Sequence, residues 1–290
     1  MCVVVPFLNE EWCLPTFLDS IATQTRRPDR LVLVDDGSTD RSAEIALKFA
    51  RNRDWVDVLR LAPRRRGRDR LAQADELKAF QSAVAQLNEA WDVVAKMDAD
   101  LELPRKAIQT IDDAFARDPS LGMAGTRLAE RGSDGIRVPL ISPPEHVEGA
   151  TKFYRRACWE EIAPLPAILG WDTLDEFLAR MRGWRTETFV VPGGDPLHLR
   201  RMGAHGRILR SFRRWGACAY GYGAHPLHVL LYGGRLMRIR RPWLIGGAHY
   251  MAGYAIAALR RAPRARADVR KAMRRQQMRK IRRRVATLLA

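Results

Sequence analysis

Short apolar runs alternate with amphipathic segments along the first 126 residues of the chain. Runs rich in Val, Leu and Ile predict strands, whereas apolar residues three or four positions apart predict helices. The predicted strands cover residues 2–5, 31–34, 56–61, 92–97 and 121–126, and the predicted helices cover about 12–24, 43–50, 72–87 and 105–115. Strands and helices in this order predict an α/β fold with a mostly parallel sheet flanked by helices.

The alternation weakens after residue 130. A loop rich in Gly, Pro and Ser follows, then predicted strands at 148–154 and 186–191 and a helix that begins near Asp172. The composition changes again near residue 206. We therefore predict two regions, an α/β domain at residues 1–206 and a helical region at residues 207–290.

The second region is strongly basic. Residues 207–290 contain 21 Arg and Lys but a single acid, Asp268, so their net charge is +20. Because the whole chain has a net charge of +17, residues 1–206 have a net charge of −3. Residues 215–234 and 242–259 have no charged side chain and approach the shortest length that spans a bilayer, but Gly, His and Pro lower their hydrophobicity. With a basic helix predicted at 264–284, this pattern indicates amphipathic helices that lie on an anionic membrane surface.

The cysteines, the first residues and the basic tail indicate the cellular compartment of the protein and the kind of partner that it binds. The four cysteines form no C-x-x-C pair, which favours a reducing compartment, and the apolar start meets Glu10 and Glu11 too early for a signal peptide. The basic tail has few aromatic residues for stacking bases and no helix-turn-helix pattern, so we expect no nucleic-acid partner. These features predict a peripheral or monotopic protein at the cytoplasmic face of the inner membrane.

Acidic residues follow three predicted strands. Glu10 follows the first, Asp35 and Asp36 follow the second, and Asp98 and Asp100 follow the fourth. Because the carboxyl ends of parallel strands share one edge of a sheet, we expect these carboxylates to converge there, where α/β proteins bind ligands.

Each acidic motif has two interpretations by itself. Asp98 and Asp100, two residues apart at a strand exit, are suited to Mg²⁺ or Mn²⁺, or they are a solvated pair that caps the next helix. Asp35 and Asp36 either accept hydrogen bonds from a nucleoside or belong to an Asp-Gly-Ser turn.

The motifs together resemble the family 2 glycosyltransferases, which have the GT-A fold. The resemblance rests on Pro6-Phe7-Leu8-Asn9-Glu10, Val34-Asp35-Asp36-Gly37-Ser38-Thr39-Asp40 and Lys96-Met97-Asp98-Ala99-Asp100, and it continues through Gly149-Ala150-Thr151-Lys152-Phe153-Tyr154-Arg155-Arg156 and Gly170-Trp171-Asp172-Thr173. It covers roughly residues 2–200. Three ordered motifs on the expected strands are more specific than any one of them.

The resemblance implies a role for each motif. The implied donor-binding residues are Pro6, Phe7, Asn9, Glu10, Asp35, Asp36 and Asp98, with Lys78 and the arginines of 64–70 as candidates for the diphosphate. The implied metal ligands are Asp98 and Asp100, with His198 either a further ligand of the metal or the diphosphate or an ordinary surface or loop histidine. The catalytic base is implied near the start of a helix, where the family often has Glu-Asp but this chain has Trp171-Asp172; Asp172 is therefore the first candidate, with Asp175 and Glu176 as alternatives.

The implied reaction is an inverting, metal-assisted transfer of a sugar from a nucleotide-sugar donor to a lipid-linked or polysaccharide acceptor. One carboxylate then deprotonates the acceptor hydroxyl, and no covalent nucleophile is needed. A nucleotidyltransferase of similar architecture and a nucleic-acid-binding protein remain as alternatives. A kinase-like ATPase is disfavoured because no G-x-x-x-x-G-K-[ST] motif is present.

Overall fold

A computed structural model describes residues 1–62, 74–87, 90–132, 135–200, 208–239 and 242–289. The chain forms two compact units. The first consists of Met1–Arg70, Asp75–Leu165 and Leu178–Met202, and the second of Leu71–Ala74, Pro166–Phe177 and Gly203–Ala290. The second unit thus includes the start of a helix that the sequence predicts within the first domain, and the predicted boundary at residue 206 lies outside the described residues.

A seven-stranded sheet is the centre of the first unit. Its strands, with those of a small second sheet, are β1 (Cys2–Phe7), β2 (Arg30–Asp35), β3 (Val56–Arg60), β4 (Val93–Met97), β5 (Leu101–Glu102), β6 (Leu121–Thr126), β7 (Ala129–Arg131), β8 (Arg137–Pro139), β9 (Thr151–Arg155), β10 (Arg185–Phe189) and β11 (Leu197–His198). The large sheet has the order β10-β6-β9-β4-β1-β2-β3, and β9 is antiparallel to both of its neighbours. The predicted α/β fold with a mostly parallel sheet is confirmed.

Helices connect and cover these strands. They are α1 (Leu14–Ala22), α2 (Ser42–Ala50), α3 (Asp75–Val84), α4 (Ala107–Arg117) and α5 (Arg156–Ile162), and a further helix, α6 (Trp171–Met181), is divided between the two units. β1 is apolar and buried along its whole length, as expected of a strand covered on both faces. Because β1 has β2 on one side and β4 on the other, the sheet reverses its strand order there, and such points open a crevice at the carboxyl ends of the strands.

A second, four-stranded sheet was not predicted. Its order is β5-β11-β7-β8, and its strands are only two or three residues long. Strands this short carry no readable alternation of apolar and polar residues, so only tertiary pairing reveals them.

The second unit is helical. Its helices are α7 (Ile208–Gly221), α8 (Pro226–Ile239), α9 (Ile245–Leu259) and α10 (Ala267–Leu289), together with the first residues of α6. Glycines let α7 and α9 cross closely: a Cβ atom at Gly253 would lie 2.7 Å from the carbonyl carbon of Arg213, and one at Gly216 would lie 2.7 Å from the amide nitrogen of Tyr254. The charge-free stretch 215–234 is divided between α7 and α8, with a break at residues 222–225. No described helix has both the length and the apolar composition to cross a bilayer.

Candidate functional site

Three acidic stretches meet at the carboxyl edge of the large sheet. β1, β2 and β4 run parallel, with β1 in the middle. Phe7 at the end of β1 lies opposite Asp35, and Val4 lies opposite Lys96, two residues before Asp98. The exits of β2 and β4 are therefore two strand spacings apart, about 10 Å. The convergence expected from the strand order is present in the fold.

Asp98, Asp100 and His198 form a cluster at this edge. His198 Nε2 lies 3.7 Å from Asp98 Oδ2 and 3.6 Å from Asp100 Oδ1. One ligand atom from each residue fits within 4.8 Å of the others, and the three side chains are mostly buried. β11 brings His198 here, because it pairs antiparallel with β5, which directly follows Asp100.

The geometry of His198 leaves one ring nitrogen for a ligand. Its Nδ1 is hydrogen-bonded to the backbone carbonyl oxygen of Arg200, which can only accept, so Nδ1 carries a proton. Nε2 faces the two carboxylates. Two carboxylates and an imidazole whose other nitrogen is held by a carbonyl are a donor set that fits a divalent cation.

Lys96 supports Asp98 from within the sheet. Its side chain is 2% exposed, and Nζ contacts the carboxylates of Glu76 and Asp98 and donates to the Gly149 carbonyl at 3.0 Å. Burial raises the pKa of Asp98, but the Lys96 ammonium, His198 and Glu76 together outweigh this and hold that pKa below its usual range. Burial lowers the pKa of Lys96, but the carboxylates of Asp98 and Glu76 together raise this pKa by more than burial lowers it, so Lys96 stays protonated.

The pKa values of the other two cluster members are raised. Burial and the negative charge of Asp98 raise the pKa of Asp100 to about 6. Burial lowers the pKa of His198, but hydrogen bonding to Asp98 and the charges of Asp100 and Asp98 outweigh this and raise it to about 9. In the absence of a ligand, His198 is therefore a cation at neutral pH and compensates the charge of the carboxylates.

Arg200 provides a second cation. Its guanidinium binds Glu10 through both terminal nitrogens, at 3.1 Å and 2.5 Å, and one of them lies 3.9 Å from Asp100 Oδ2. The guanidinium carbon also lies 5.3 Å from the centre of the Trp12 ring. Glu10 itself is fixed, because its backbone N–H donates to Ser42 Oγ at 2.7 Å. The acidic exit of β1 is thus tied to the segment after β11.

The exit of β2 is a tight turn. Ser38 donates its backbone N–H to Asp35 Oδ1 at 2.7 Å, and Gly37 has a φ of 82°, which glycine adopts without strain. Arg60 Nε lies 3.4 Å from the other oxygen of Asp35, whose side chain is fully buried. Asp36 is also buried, at 2% exposure. Asp35 therefore has the turn-forming role that was open in the sequence, and the nucleoside role of this motif stays a prediction.

The remaining predicted donor residues lie in different environments. Pro6 and Phe7 are buried in β1, and Phe7 is part of the hydrophobic core. Asn9 is exposed and accepts the Thr39 backbone N–H at 2.8 Å through Oδ1. Lys78 is 40% exposed on α3, and its ammonium lies 3.2 Å from Asp75. The arginines of 64–70 lie outside the described residues.

The candidate bases are at the start of α6, in the second unit. Asp172 is exposed, whereas Asp175 and Glu176 are 0% and 2% exposed. Asp175 Oδ1 accepts the backbone N–H of Glu176 at 2.6 Å. Exposure therefore distinguishes Asp172 from its two alternatives.

The sequence did not identify three charged residues of the site as functional. They are Glu76, Lys96 and Arg200. Lys96 had a readable signal, because it is a charged residue inside an otherwise apolar strand. Glu76 and Arg200 had none, since Arg200 is 190 positions from its partner Glu10.

Known proteins resemble this chain most clearly in the first unit. The model of glycosyl transferase family 2 matches residues 2–164. The undecaprenyl-phosphate 4-deoxy-4-formamido-L-arabinose transferase of Pectobacterium carotovorum subsp. carotovorum (strain PC1) is 33% identical over 132 residues, which cover 44% of this chain and 37% of that protein. The match thus spans little more than a third of the relative's length.

Solved structures share the fold. The mannosyltransferase PcManGT from Pyrobaculum calidifontis, in complex with GDP-Man and Mn²⁺, has a TM-score of 0.58 and 18% identity, over 89% of this chain and 86% of that one. S. aureus TarS 1-349 in complex with UDP-GlcNAc has a TM-score of 0.52 and 19% identity, over 75% and 65% of the two chains. The family model covers more than half of the chain and contains the acidic exits of β1, β2 and β4. The chain belongs to glycosyl transferase family 2.

Proposed function

We propose that this chain transfers a sugar from a nucleotide-sugar donor to a lipid-linked or polysaccharide acceptor. The observation that carries the proposal is the convergence of Asp98, Asp100 and His198 at the carboxyl edge of a family 2 sheet, beside the turn of Asp35 and Asp36. This edge offers acidic groups for a cation and hydrogen-bond acceptors for a nucleoside within about two strand spacings.

The donor set supports metal assistance. Asp98, Asp100 and the Nε2 atom of His198 would hold Mg²⁺ or Mn²⁺, as the separation of their ligand atoms allows. Such an ion, when bound, neutralises the negative charge that develops on a leaving diphosphate. Lys96 keeps Asp98 ionised and oriented, so that this carboxylate does not lose its ligand oxygens to protonation.

Arg200 is the protein's own cation for the diphosphate. It lies at the site already, between Glu10 and Asp100, and is about one quarter exposed. A planar guanidinium can bind phosphate oxygens in a bidentate manner, as it binds Glu10 here. We assign donor binding to Glu10, Asp35, Asp36 and Arg200, with Pro6, Phe7 and Asn9 shaping the β1 exit and Lys78 as a further candidate for the diphosphate.

Asp172 is the proposed base. Inversion at the anomeric carbon needs one carboxylate that accepts the proton of the attacking hydroxyl. Of the three candidates, Asp172 has an exposed carboxylate, while those of Asp175 and Glu176 are buried. An acceptor hydroxyl can reach an exposed group without rearrangement of α6.

The acceptor class follows from the relatives and from charge. The name of the Pectobacterium relative specifies an undecaprenyl-phosphate acceptor. The basic residues 207–290 favour an anionic surface as the second partner. We therefore propose action on a lipid-linked acceptor by a peripheral or monotopic protein at the cytoplasmic face of the inner membrane.

The test compares the loss of two neighbouring carboxylates, one inside the cluster and one outside it. Asp100→Asn should abolish Mn²⁺-dependent stabilisation by nucleotide sugars and Mn²⁺-dependent donor hydrolysis. Glu102→Gln is the control, because Glu102 is two residues further on and pairs with Arg137 at 2.6 Å, away from the cluster. A panel of UDP- and GDP-sugars, read by thermal shift with and without Mn²⁺, identifies the donor. Equal responses of the wild type and Asp100→Asn would reject the metal-site assignment.

A further inference from the structure

We propose that the second unit docks on an anionic lipid bilayer through one apolar surface. This docking surface consists of Leu227, Leu230 and Leu231 on α8 and of Trp243, Leu244 and Ile245 in the segment that leads from α8 into α9. The inference deepens the proposed function, since it rests on a lipid-linked acceptor, and it assigns the contact with the membrane to particular side chains.

The three leucines lie outside the core of the second unit. α8 buries Val229, Gly233 and Leu236, which recur at helical spacing and define its inward side. The leucines are 39%, 58% and 52% exposed. Arg235 and Arg238 are also exposed on α8. An exposed apolar row continued by arginines is the pattern of a helix that lies in the membrane interface, with the arginines reaching headgroup phosphates.

The chain exposes three consecutive large apolar residues where α9 begins. Trp243, Leu244 and Ile245 are 58%, 68% and 51% exposed. Leu244 has a φ of 61° and a ψ of −53°, the strained conformation of a classic γ-turn, and the Ile245 backbone N–H closes the turn by donating to the Trp243 carbonyl at 2.6 Å. A residue with a side chain adopts this conformation at a cost of about 1–3 kcal/mol, whereas glycine adopts it freely. The chain therefore has a strained, exposed leucine at a position where glycine is favoured. This leucine side chain packs little against the protein, and insertion into a bilayer would bury it.

Charge complementarity selects the partner. Six cationic side chains line one groove along α10, namely Arg270, Lys271, Arg274, Arg275, Arg279 and Arg282. The sequence of α10 contains no aromatic residue on which bases could stack. A nucleic acid would use the cations but not the exposed leucines of α8, whereas an anionic bilayer uses both these leucines and the arginines that continue their row, Arg235 and Arg238.

The length of α8 favours a helix that lies on the membrane. Its 14 residues extend about 21 Å, which is short of the ~30 Å hydrocarbon core. The helix therefore contacts the bilayer along its side, and the apolar segment after it inserts at interface depth.

The decisive variant separates membrane insertion from folding. In the full chain, Leu244→Gly removes an exposed side chain and relieves the backbone strain of the positive φ at this position, so the melting temperature should not fall. Combined with Trp243→Ser and Ile245→Ser, it should weaken co-sedimentation with vesicles of phosphatidylcholine and 30% phosphatidylglycerol by roughly tenfold or more. If the segment is only structural, the triple variant sediments with the vesicles as the wild type does, and this result overturns the proposal.

A matched control changes equally exposed apolar residues of the first unit. Ile136, Val138 and Ile141 are 63%, 49% and 96% exposed, and the triple Ser variant should bind vesicles as the wild type does. An equal loss in this control would show that exposed apolar area binds vesicles regardless of place, which overturns the assignment.

The charge contribution has its own variant. Arg275→Gln, Arg279→Gln and Arg282→Gln together should reduce binding to the anionic vesicles on the order of 100-fold in low salt, and far less in 0.5 M salt. Preference of the wild type for a labelled RNA over anionic vesicles would replace the membrane by a nucleic acid and overturn the proposal.

Failure of docking and failure of the proposed function give different results. Donor binding, read by thermal shift with Mn²⁺ and without vesicles, should be unchanged in the docking variants. Vesicle binding by a protein that responds to no nucleotide sugar would leave docking standing and reject the transferase proposal. Donor binding by the wild type, together with unaltered vesicle binding in the Trp243–Ile245 variant, would leave the transferase proposal standing and reject the docking proposal.

Discussion

Replacing Lys96 with Met removes the ammonium group that lies between Glu76 and Asp98. The methionine side chain is close in length and fits a buried site in a strand, so the change acts mainly on charge. Lys96 is 2% exposed, and its two partners are 29% and 25% exposed. The variant leaves two neighbouring carboxylates without the cation that holds them.

The magnitude follows from burial. Removing one partner of a buried ion pair costs about 3–5 kcal/mol, and because both carboxylates retain some contact with water, we expect the lower end, about 3 kcal/mol. For a unit of this size the melting temperature should fall by roughly 6–12 °C. Burial raises the pKa of Glu76 to about 8, so Glu76 and Asp98 repel each other as two charged groups above that pH. Under those conditions a second change, Glu76→Gln, removes the repulsion and should restore part of the loss.

The assay is calorimetric unfolding of the wild type, Lys96→Met, Lys96→Met with Glu76→Gln, and the control Lys48→Met. Lys48 is exposed on α2, and its replacement should change stability by less than about 0.5 kcal/mol. A melting temperature for Lys96→Met within 2 °C of the wild type, or no recovery in the double variant, would refute the reasoning that Lys96 balances two carboxylates.

Three further outcomes are expected. The pKa of His198 in the folded protein is raised to about 9, above the 6.5 of an ordinary histidine, so its stabilising charge is fully present below pH 6.5 and is lost as the pH rises through 9. Melting temperatures in metal-free buffer should therefore decline over this range in the wild type and stay level in His198→Ala. Gly253→Ala should destabilise the second unit by about 1–3 kcal/mol because of the close α7–α9 crossing, whereas Gly234→Ala on α8, where a Cβ atom meets nothing within 4 Å, should be neutral or slightly stabilising in the same denaturation assay. Asp172→Asn should lower kcat by at least about 100-fold with little change in donor binding, and a larger loss in Asp175→Asn with normal folding would move the base to that residue.

The sequence predicted those parts of the fold that depend on local pattern. β1, β2 and β4 are apolar runs that end in acids, so both their existence and the shared edge followed from periodicity and the parallel-sheet rule. Asp98 and Asp100 were predicted for the same reason. The helix at 72–87 was predicted too long: α3 ends at Val84, and its predicted start lies outside the described residues.

Long-range pairing accounts for what the sequence did not predict. The family resemblance implied His198 as a metal ligand, but not how it reaches Asp100: β11 pairs with β5, and these two strands of two residues each lie almost a hundred positions apart. The role of Lys96 needs α3 to bring Glu76 over the sheet. Such contacts leave no periodicity in a single sequence, so composition and spacing cannot supply them.

The charge balance of the site explains why the β11 segment matters. Four carboxylates from three elements gather at one rim, those of Glu10, Glu76, Asp98 and Asp100, and within the stretch matched by the family model Lys96 supports two of them. Among the residues that the structure describes, the cations that face Glu10 and Asp100 are Arg200 and protonated His198, and both lie beyond residue 164, on or directly after β11. Because neighbouring carboxylates repel each other, the β11 segment, held in place by its two-residue pairing with β5, supplies positive charge that balances this rim. The acidic motifs therefore identify the family, and the segment after them determines how this chain holds the site together.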